Sequence, residues 1–488
     1  MNIDFTKKWL LVFATSFYIV CCCLAILWKE PLWLILPFFV VATGSISFWI
    51  TRNTEQLYWC FLLVLPLSTE FNFTPGLGLD LPGEPLLIGL TFFMLGSVIY
   101  QPSQYRKLFN SGIAKWLVIY FSWMTISACY AENTWLATKF ILAKVWYILP
   151  LVFLTAFIHT QKPNFKKLAY MLCIPLLFVV IQAQIRHGIY GFEFIAIKKA
   201  MAPFFRNHVN YAAMLVCLLP IGWLLHQFSN NSYRKKWIGI ALIIGISGLF
   251  FAYSRGAWLA LLVGILGYYL IRKNVLGTFI CLGIITVFIS LFLLLTENRF
   301  LVFAPEHDET IFHENFSDHL SATVGLKDIS NAERFHRWVA GCRMIAERPI
   351  TGFGANSFYP TYQPYTIAPF KTWVSNNPEH STIHNYYLLL AVEQGIPALI
   401  IFGGFLIYLL LQAQKLFHDF QQSYYRMIAM ATGIILLMIA SLNLSSDLIE
   451  TDKIGGLFWL CAGIILTLQQ LLKREQSSFA DSAIKKPD

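Results

Sequence analysis

Long apolar runs separated by short polar connections dominate the chain. A helix that crosses a bilayer needs roughly 20 mostly apolar residues, and such runs recur up to residue 472. The candidate spans are 9–28, 31–50, 57–68, 85–100, 113–130, 140–159, 168–186, 208–228, 237–253, 256–271, 275–296, 385–411, 427–443 and 454–472. The short run at 57–68 also fits an extended or re-entrant segment. The pattern predicts an all-α polytopic integral membrane protein with about 12–14 transmembrane helices.

One connection is much longer than the others. Residues 297–384 are polar and hold six of the eleven histidines of the chain. Within them, apolar residues recur at helical spacing over 331–347, and Pro349 follows. We therefore predict one large, partly helical loop. It separates an N-terminal bundle (1–296) from C-terminal transmembrane helices (385–472), which a polar tail (473–488) follows without predicted structure.

The composition supports the same class. Charged residues make up 13% of the chain and hydrophobic residues 57%, whereas an ordinary soluble domain carries about 25% charged residues. These values exclude a soluble globular protein and a disordered chain. An outer-membrane barrel is excluded as well, because its strands alternate polar and apolar residues, and the runs here are continuous.

The net charge of +10 does not indicate a nucleic-acid partner. The basic residues lie in small groups between apolar runs, whereas a nucleic-acid-binding protein clusters them on one soluble face. They are concentrated in alternate connections, as the positive-inside rule describes. We therefore expect cytoplasmic N- and C-termini, with the loop 297–384 on the outer side of the membrane.

Arg255 is the first candidate for a functional residue. It lies in the sequence Tyr-Ser-Arg-Gly-Ala (253–257), between two apolar runs that have almost no loop between them. A charge at the membrane edge is costly, and a guanidinium group suits a two-point grip on phosphate. The adjacent Gly256 allows close approach of a ligand. The alternative is an interfacial arginine whose side chain reaches water.

Arg334 and Arg337 form the second candidate, on the helix predicted at 331–347. Their spacing places both guanidinium groups on one flank, where they can face the same anion. The alternative is a pair of solvated charges on an amphipathic helix that bind Glu333 or Glu347.

Histidines at two predicted span starts complete the set. His384 lies where the long loop meets the next span, and an imidazole there can act as a general base near neutral pH. Its alternative role is helix capping. Arg206 and His208 open another span from the outer side, where this segment either binds an anion or caps the helix.

A metal site is not expected, although histidines are numerous. His307, His313 and His319 are six residues apart, which fits no helical face, and a regular helix through His380 and His384 is doubtful beside Pro378. We also expect no cofactor. Lys144 and Asp447 lie in or beside apolar runs, where they either pair with each other or line a cavity.

These elements occur in an order that resembles a known family. Ser-Arg-Gly-Ala (254–257) is followed by Arg-x-x-x-Trp (334–338), Glu-Arg-Pro-Ile-Thr-Gly-Phe-Gly-Ala-Asn-Ser-Phe (347–358), His-Asn-Tyr-Tyr-Leu-Leu-Leu (384–390) and Glu-Gln-Gly-Ile-Pro (393–397). The set, over roughly residues 200–405, resembles the bacterial O-antigen ligase and polymerase superfamily.

The resemblance implies an inverting, metal-independent glycosyltransferase of the bacterial inner membrane. Its donor is a glycan on undecaprenyl pyrophosphate, used from the periplasmic side, and its acceptor is lipid A–core oligosaccharide. Arg255, Arg334 and His384 match the catalytic positions of the family. We place Arg206, His208 and Arg337, together with Arg255 and Arg334, among the residues that bind the pyrophosphate or the glycan.

Three other functions remain open from the sequence. Within the same fold, the enzyme can extend a lipid-linked polymer or transfer the glycan to protein serine or threonine. A transporter of the lipid-linked glycan is the alternative from another class. Transporters place charges near the bilayer midplane and often contain inverted repeats, and the sequence shows neither feature.

Overall fold

The computed structural model describes residues 54–74, 77–303, 329–371, 375 and 382–484. The candidate spans 9–28 and 31–50 lie outside these residues. The chain divides into two compact units, Met1–Tyr58 and Trp59–Asp488. Of the first unit, the structure describes only the start of one helix, so the contacts below are those of the second unit.

Helices make up most of the described chain. In order they are α1 (Thr54–Val64), α2 (Gly83–Tyr100), α3 (Pro102–Phe109), α4 (Gly112–Cys129), α5 (Thr134–Ile148), α6 (Thr155–Gln161), α7 (Phe165–Ile189), α8 (Ile197–Ala200), α9 (His208–Gln227), α10 (Ser232–Phe251), α11 (Arg255–Arg272), α12 (Leu276–Leu295), α13 (Ile329–Glu347), α14 (Phe358–Thr361), α15 (Tyr386–Asp419), α16 (Ser423–Leu442) and α17 (Asp452–Ile484). A π-helical stretch, Leu149–Leu154, joins α5 to α6.

Ten of the described helices are long and apolar enough to cross a membrane, with α5 and α6 counted as one. Every candidate span from 85–100 onward coincides with a helix, and α10 differs from the ten only in beginning with three basic residues. The all-α multi-pass membrane class is therefore confirmed. The run at 57–68 is helical rather than extended. It consists of most of α1 and the 3-10 turn that follows it, Leu65–Leu67.

The C-terminal tail is more ordered than the sequence indicates. Helix α17 does not end at residue 472 but continues to Ile484. Residues after 472 include good helix formers such as lysine, arginine and glutamate. The Arg474 guanidinium group also donates a 2.6 Å hydrogen bond to the Thr160 carbonyl at the end of α6. The prediction of an unstructured tail is therefore wrong as far as residue 484.

Small residues determine how α11, the helix that begins with Arg255, packs in the bundle. A methyl group at Gly267 would lie 2.6 Å from the Leu437 side chain, and one at Gly264 would overlap Met438. Both partners lie on α16. In a membrane, small residues let helix backbones approach closely. The two glycines thus allow α11 to lie directly against α16.

A β-hairpin that the sequence analysis missed lies between α1 and α2. Strand β1 (Thr69–Thr74) pairs antiparallel with β2 (Leu77–Leu81), so that Glu70 stands opposite Asp80. Arg206 binds Glu70 at 2.6 Å, and the Lys453 ammonium group donates to the Ser68 carbonyl at 2.5 Å. These contacts tie the hairpin to the segment before α9 and to the start of α17.

The pH dependence of stability should reveal the buried carboxyl group of this hairpin. Burial and, as the second cause, a hydrogen bond with Asp452 raise the pKa of Asp80 to about 8. In the unfolded chain the pKa of an aspartate is about 3.9. Between about pH 4 and pH 8 the folded protein therefore holds a proton that the unfolded chain has lost, and stability falls as the pH rises. We expect Asp80→Asn to reduce this slope in thermal denaturation scans. A variant with the wild-type slope would contradict this assignment.

Candidate functional site

The site is built around the C-terminal end of α16, where the starts of two other helices meet. The Tyr386 N–H, at the start of α15, donates to the carbonyls of Asn443 (3.0 Å) and Ser446 (3.1 Å). Gly256, in the first turn of α11, faces the same segment, because a methyl group there would lie 3.6 Å from the Ser445 hydroxyl. Residues 442–446 therefore connect the helix that begins with Arg255 to the segment that contains His384.

Helix α13 is fixed to the segment that precedes α15. The Trp338 indole N–H donates to the Ile383 carbonyl at 3.0 Å, and the Arg337 guanidinium group donates to the Thr382 carbonyl at 3.0 Å. Gly341 makes room for this contact, since a methyl group there would lie 2.5 Å from the Ile383 side chain. The tryptophan of the Arg-x-x-x-Trp motif thus serves to dock the helix.

Arg337 is buried in an ion pair. Its Nη2 lies 3.3 Å from Glu333 Oε2, and Glu333 Oε1 accepts a 2.7 Å hydrogen bond from the Ser375 hydroxyl. The sequence analysis gave a pair with Glu333 as the alternative to anion binding, on a solvated helix face. The pair is present, but only 2% of Arg337 is exposed. Such a pair holds a positive charge in place at a site of low polarity.

Arg334, Arg337 and His384 lie close enough to interact electrostatically. Burial and, to a smaller extent, the positive charges of Arg337 and Arg334 together lower the pKa of His384 to about 3. Arg334 is half-buried, and its guanidinium group donates a long, 3.4 Å hydrogen bond to Asn331. At neutral pH the imidazole is therefore uncharged, and it lies beside Arg334 and the ion-paired Arg337.

Asp447 joins this group, although the sequence gave it no partner there. Its carboxylate accepts a hydrogen bond from the Thr382 side chain and lies within the field of Arg337, while burial raises its pKa. The sequence analysis left open a pair between Lys144 and Asp447. Instead, Lys144 binds Glu450 at 2.8 Å, so that pairing is wrong. Asp447 and Glu450 thus interact with different groups, although they lie only three positions apart.

His208 lies near the start of α11. The rings of His208 and Tyr253 both contact the Phe194 ring, with centroids 6.3 and 5.6 Å away. Tyr253 has a left-handed backbone (φ 53°) and donates from its hydroxyl to the Phe192 carbonyl. The Ser-Arg-Gly element follows Tyr253 directly, so His208 lies near the segment that carries Arg255.

Arg206 lies with the β-hairpin. Its ion pair with Glu70 and its electrostatic effect on Asp80 place it there, and no described contact links it to Arg334, Arg337 or His384. The neighbouring Asn207 caps α9, because its side-chain oxygen accepts from the Asn210 N–H at 2.8 Å. For this segment the structure therefore shows the capping role that the sequence left open.

The two glycine-containing motifs pack against each other at a break in α15. Gly395 has φ 80° and ψ 169°, and Pro397 has no N–H to donate. The carbonyls of Val392 and Glu393 consequently lack their helical partners. They accept instead from the Phe353 N–H (3.1 Å) and the Gly354 N–H (2.7 Å).

Further contacts complete this junction. The Ile396 N–H donates to the Pro349 carbonyl at 2.8 Å, and the buried Glu393 carboxylate accepts from the Phe358 N–H at 3.2 Å. Glu393 was not among the predicted site residues. Its signals in the sequence are its place at the start of the Glu-Gln-Gly-Ile-Pro motif and an acidic residue inside an apolar run. Segment 349–358 is thereby held in the opening of a broken membrane helix.

Metal ligands are not grouped in the described part of the chain. No cluster of three histidine, cysteine, aspartate or glutamate side chains there has the geometry to hold an ion. His307, His313, His319 and His380 lie outside the described residues.

Comparison with known protein families gives a match to part of the chain. Residues 240–403 match the family described as O-Antigen ligase (Wzy_C). The match contains Arg255, Arg334, Arg337, His384 and Glu393, and it ends inside α15. No curated protein matches the chain significantly. The chain is therefore similar to the O-antigen ligase superfamily over residues 240–403, which confirms the resemblance that its motifs indicate.

Proposed function

We propose that the protein is an O-antigen ligase-type glycosyltransferase of the bacterial inner membrane. It transfers a glycan from undecaprenyl pyrophosphate to lipid A–core oligosaccharide, with its site on the periplasmic side and both termini in the cytoplasm. The observation that carries this proposal is the grouping of Arg334 and Arg337 with an uncharged, half-buried His384, inside the segment that matches the ligase family.

The reaction needs positive groups that stabilise the leaving group and a base that removes a proton from the acceptor. The bond between the anomeric carbon of the glycan and the pyrophosphate oxygen breaks, and a bond to the acceptor hydroxyl oxygen forms on the opposite face. The departing pyrophosphate gains negative charge, which Arg334 and Arg255 stabilise through N–H donors that match phosphate oxygens. Arg337, whose terminal N–H groups bind Thr382 and Glu333, contributes through its positive charge. The imidazole of His384 takes the proton of the acceptor hydroxyl. No metal is needed for either task.

The supporting residues hold these groups in place. Asp447 and the Thr382–Ile383 backbone fix the segment that carries His384. Glu333 orients Arg337 from the opposite side. The segment 349–358, which the α15 break holds, closes the neighbouring part of the surface. Arg337 and the segment that carries His384 are thus held by further contacts, and such pre-organisation is the property that electrostatic catalysis requires.

Arginine substitutions test this proposal. We expect Arg334→Ala and Arg255→Ala to lower the transfer rate by about 10²–10³, the typical loss on removal of one electrostatic stabiliser. Transfer is measured with purified donor and lipid A–core in proteoliposomes. Arg343→Ala is the matched control on α13, because Arg343 binds only the carbonyls of Tyr365 and Thr366 among its described contacts. It should retain nearly full activity.

The acceptor that gains mass decides between the related functions. Growth of a second lipid-linked glycan would identify a polymerase, and modification of protein serine or threonine would identify an oligosaccharyltransferase. Glycan movement across protein-only liposomes without a new glycosidic bond would favour the transporter. Full activity of both arginine variants would reject the proposed site.

A further inference from the structure

A polar cavity of about 450 Å³ lies beside the arginine–histidine site and has no role in the mechanism above. It is bounded by one face of α5 along most of its length, the first turns of α17, the start of α2 and residues 449–451. The residues that matter here are Lys139, Lys144, Tyr147, Asn356, Glu450 and Trp459. Its volume lies in the range of about 300–1,000 Å³ that small-ligand sites occupy.

The charged side chains of this cavity lie where a charge has a high free-energy cost. Lys144 lies inside the candidate membrane span Thr134–Gln161, and 8% of its side chain is exposed in the ion pair with Glu450. Tyr147, one turn further along α5, donates from its hydroxyl to the Asp452 carboxylate. Ionisable residues at membrane depth usually line functional cavities, and the ordinary packing of a helix bundle needs neither pair.

The charge balance argues against a second phosphate site. Among the described residues that line the cavity are two lysines, 139 and 144, and three carboxylates, Glu84, Glu450 and Asp452. A phosphate or pyrophosphate would meet more negative than positive charge. A neutral polyhydroxy ligand, in contrast, can donate to the carboxylates and accept from the ammonium groups and from Asn356.

Aromatic walls complete the fit to a sugar. Phe140 and Trp459 line the cavity, and the Lys144 ammonium group lies 5.0 Å from the centre of the Phe140 ring. A pyranose ring has an apolar C–H face and polar edges. A site that combines aromatic surface with a few oriented donors and acceptors matches both.

The cavity is connected to the proposed reaction site through a short turn. Asp447 contacts Thr382 on the reaction side. Three residues later Glu450 enters the cavity, and its N–H donates to the Asp447 carbonyl at 3.0 Å. Asn356 reaches the cavity from the segment that Glu393 holds. A ligand in the cavity therefore lies next to the groups that we assign to the pyrophosphate and the base.

We propose that this cavity is a saccharide subsite, which binds one sugar unit of a glycan substrate while the arginine–histidine site binds the pyrophosphate. The inference rests on the function proposed above and deepens it, because it separates sugar recognition from phosphate recognition. The same chemistry serves a sugar of the donor or a sugar of the acceptor, and the experiment distinguishes these two sources.

Binding of lipid-free glycans to the full-length protein tests the subsite. One probe is the donor oligosaccharide released from its pyrophosphate, and the other is core oligosaccharide freed of lipid A. Titration calorimetry in nanodiscs should show that one of them binds. Tyr147→Phe and the double variant Lys144→Met/Glu450→Gln should each weaken binding of that probe by about tenfold or more. Each variant leaves hydrogen-bonding groups of the sugar unsatisfied.

Controls separate this inference from the proposed function. Lys115→Met, in the first turn of α4, should bind the lipid-free glycan as the wild type does. Tyr147→Phe should raise KM for the glycan substrate with a small change in kcat, as expected on loss of uniform binding. Absence of glycan transfer by the wild type would overturn the proposed function. Active wild type that binds neither probe, or cavity variants that bind normally, would overturn the subsite.

Discussion

Replacing His384 by asparagine should lower glycan transfer by about 10²–10⁴-fold, the usual loss of a general base. Asparagine is the informative substitution because His384 has φ 55°, and asparagine adopts the left-handed region more readily than most residues. The variant therefore removes the imidazole with little backbone strain. Binding of the lipid-linked donor should remain close to the wild-type level, since the arginines are unchanged.

The pH dependence of glycan transfer by the wild type should also report on His384. Burial and two arginines lower the pKa of His384 to about 3. Donor pyrophosphate adds negative charge beside these arginines, which favours the protonated imidazole and raises its pKa. The pH profile of kcat reports the enzyme–substrate complex, and that of kcat/KM reports the free enzyme. The acidic limb of the kcat profile should therefore lie at a higher pH than that of the kcat/KM profile. It should disappear in His384→Asn.

A matched alanine variant distinguishes chemistry from folding. His384→Ala removes the imidazole and also places a residue with a poorer left-handed preference at φ 55°, so it should be both inactive and less heat-stable. His384→Asn should be inactive at a nearly normal melting temperature. Substantial transfer by His384→Asn would show that the imidazole is not the base, whatever the alanine variant does.

Helix positions were predictable because membrane spans are determined by local composition. A run of apolar residues needs no partner to identify it, and the predicted span at 427–443 corresponds to helix α16 within a few residues. The β-hairpin at residues 69–81 was missed for the opposite reason. Its strands are short, and the ion pair of Glu70 joins it to a residue more than 130 positions away in sequence.

Electrostatic partners were the least predictable part of the site. Asp447 and Glu450 look alike in sequence, and only the fold shows that one neighbours Thr382 and the other Lys144. The ordered motifs can nevertheless be recognised in the sequence, because each meets a local requirement: a helix start, a tryptophan that docks a helix, or a glycine with positive φ. Their mutual contacts depend on residues far apart in the chain.

Gly395→Ala should destabilise the protein and abolish transfer, although Gly395 does not take part in the proposed chemistry. Its φ of 80° and ψ of 169° lie in a region that is essentially restricted to glycine, with a strain of about 1–3 kcal/mol for other residues. A methyl group would also overlap the Ile350 carbonyl. Segment 349–354 would then have to withdraw from α15, which would break the hydrogen bonds at Val392, Glu393 and Ile396.

Each of these bonds satisfies a backbone group inside a membrane helix, where an unpaired donor or acceptor costs about 1–3 kcal/mol. We therefore expect a melting temperature lower by many degrees, and loss of transfer because Asn356 and the neighbouring surface move. Gly403→Ala is the control in the same helix, since nothing lies within 4 Å of the added methyl group. It should melt at or slightly above the wild-type temperature, because alanine favours helix over glycine by about 1 kcal/mol. If both variants melted alike and remained active, the junction between the α15 break and segment 349–358 would not be what holds the site together.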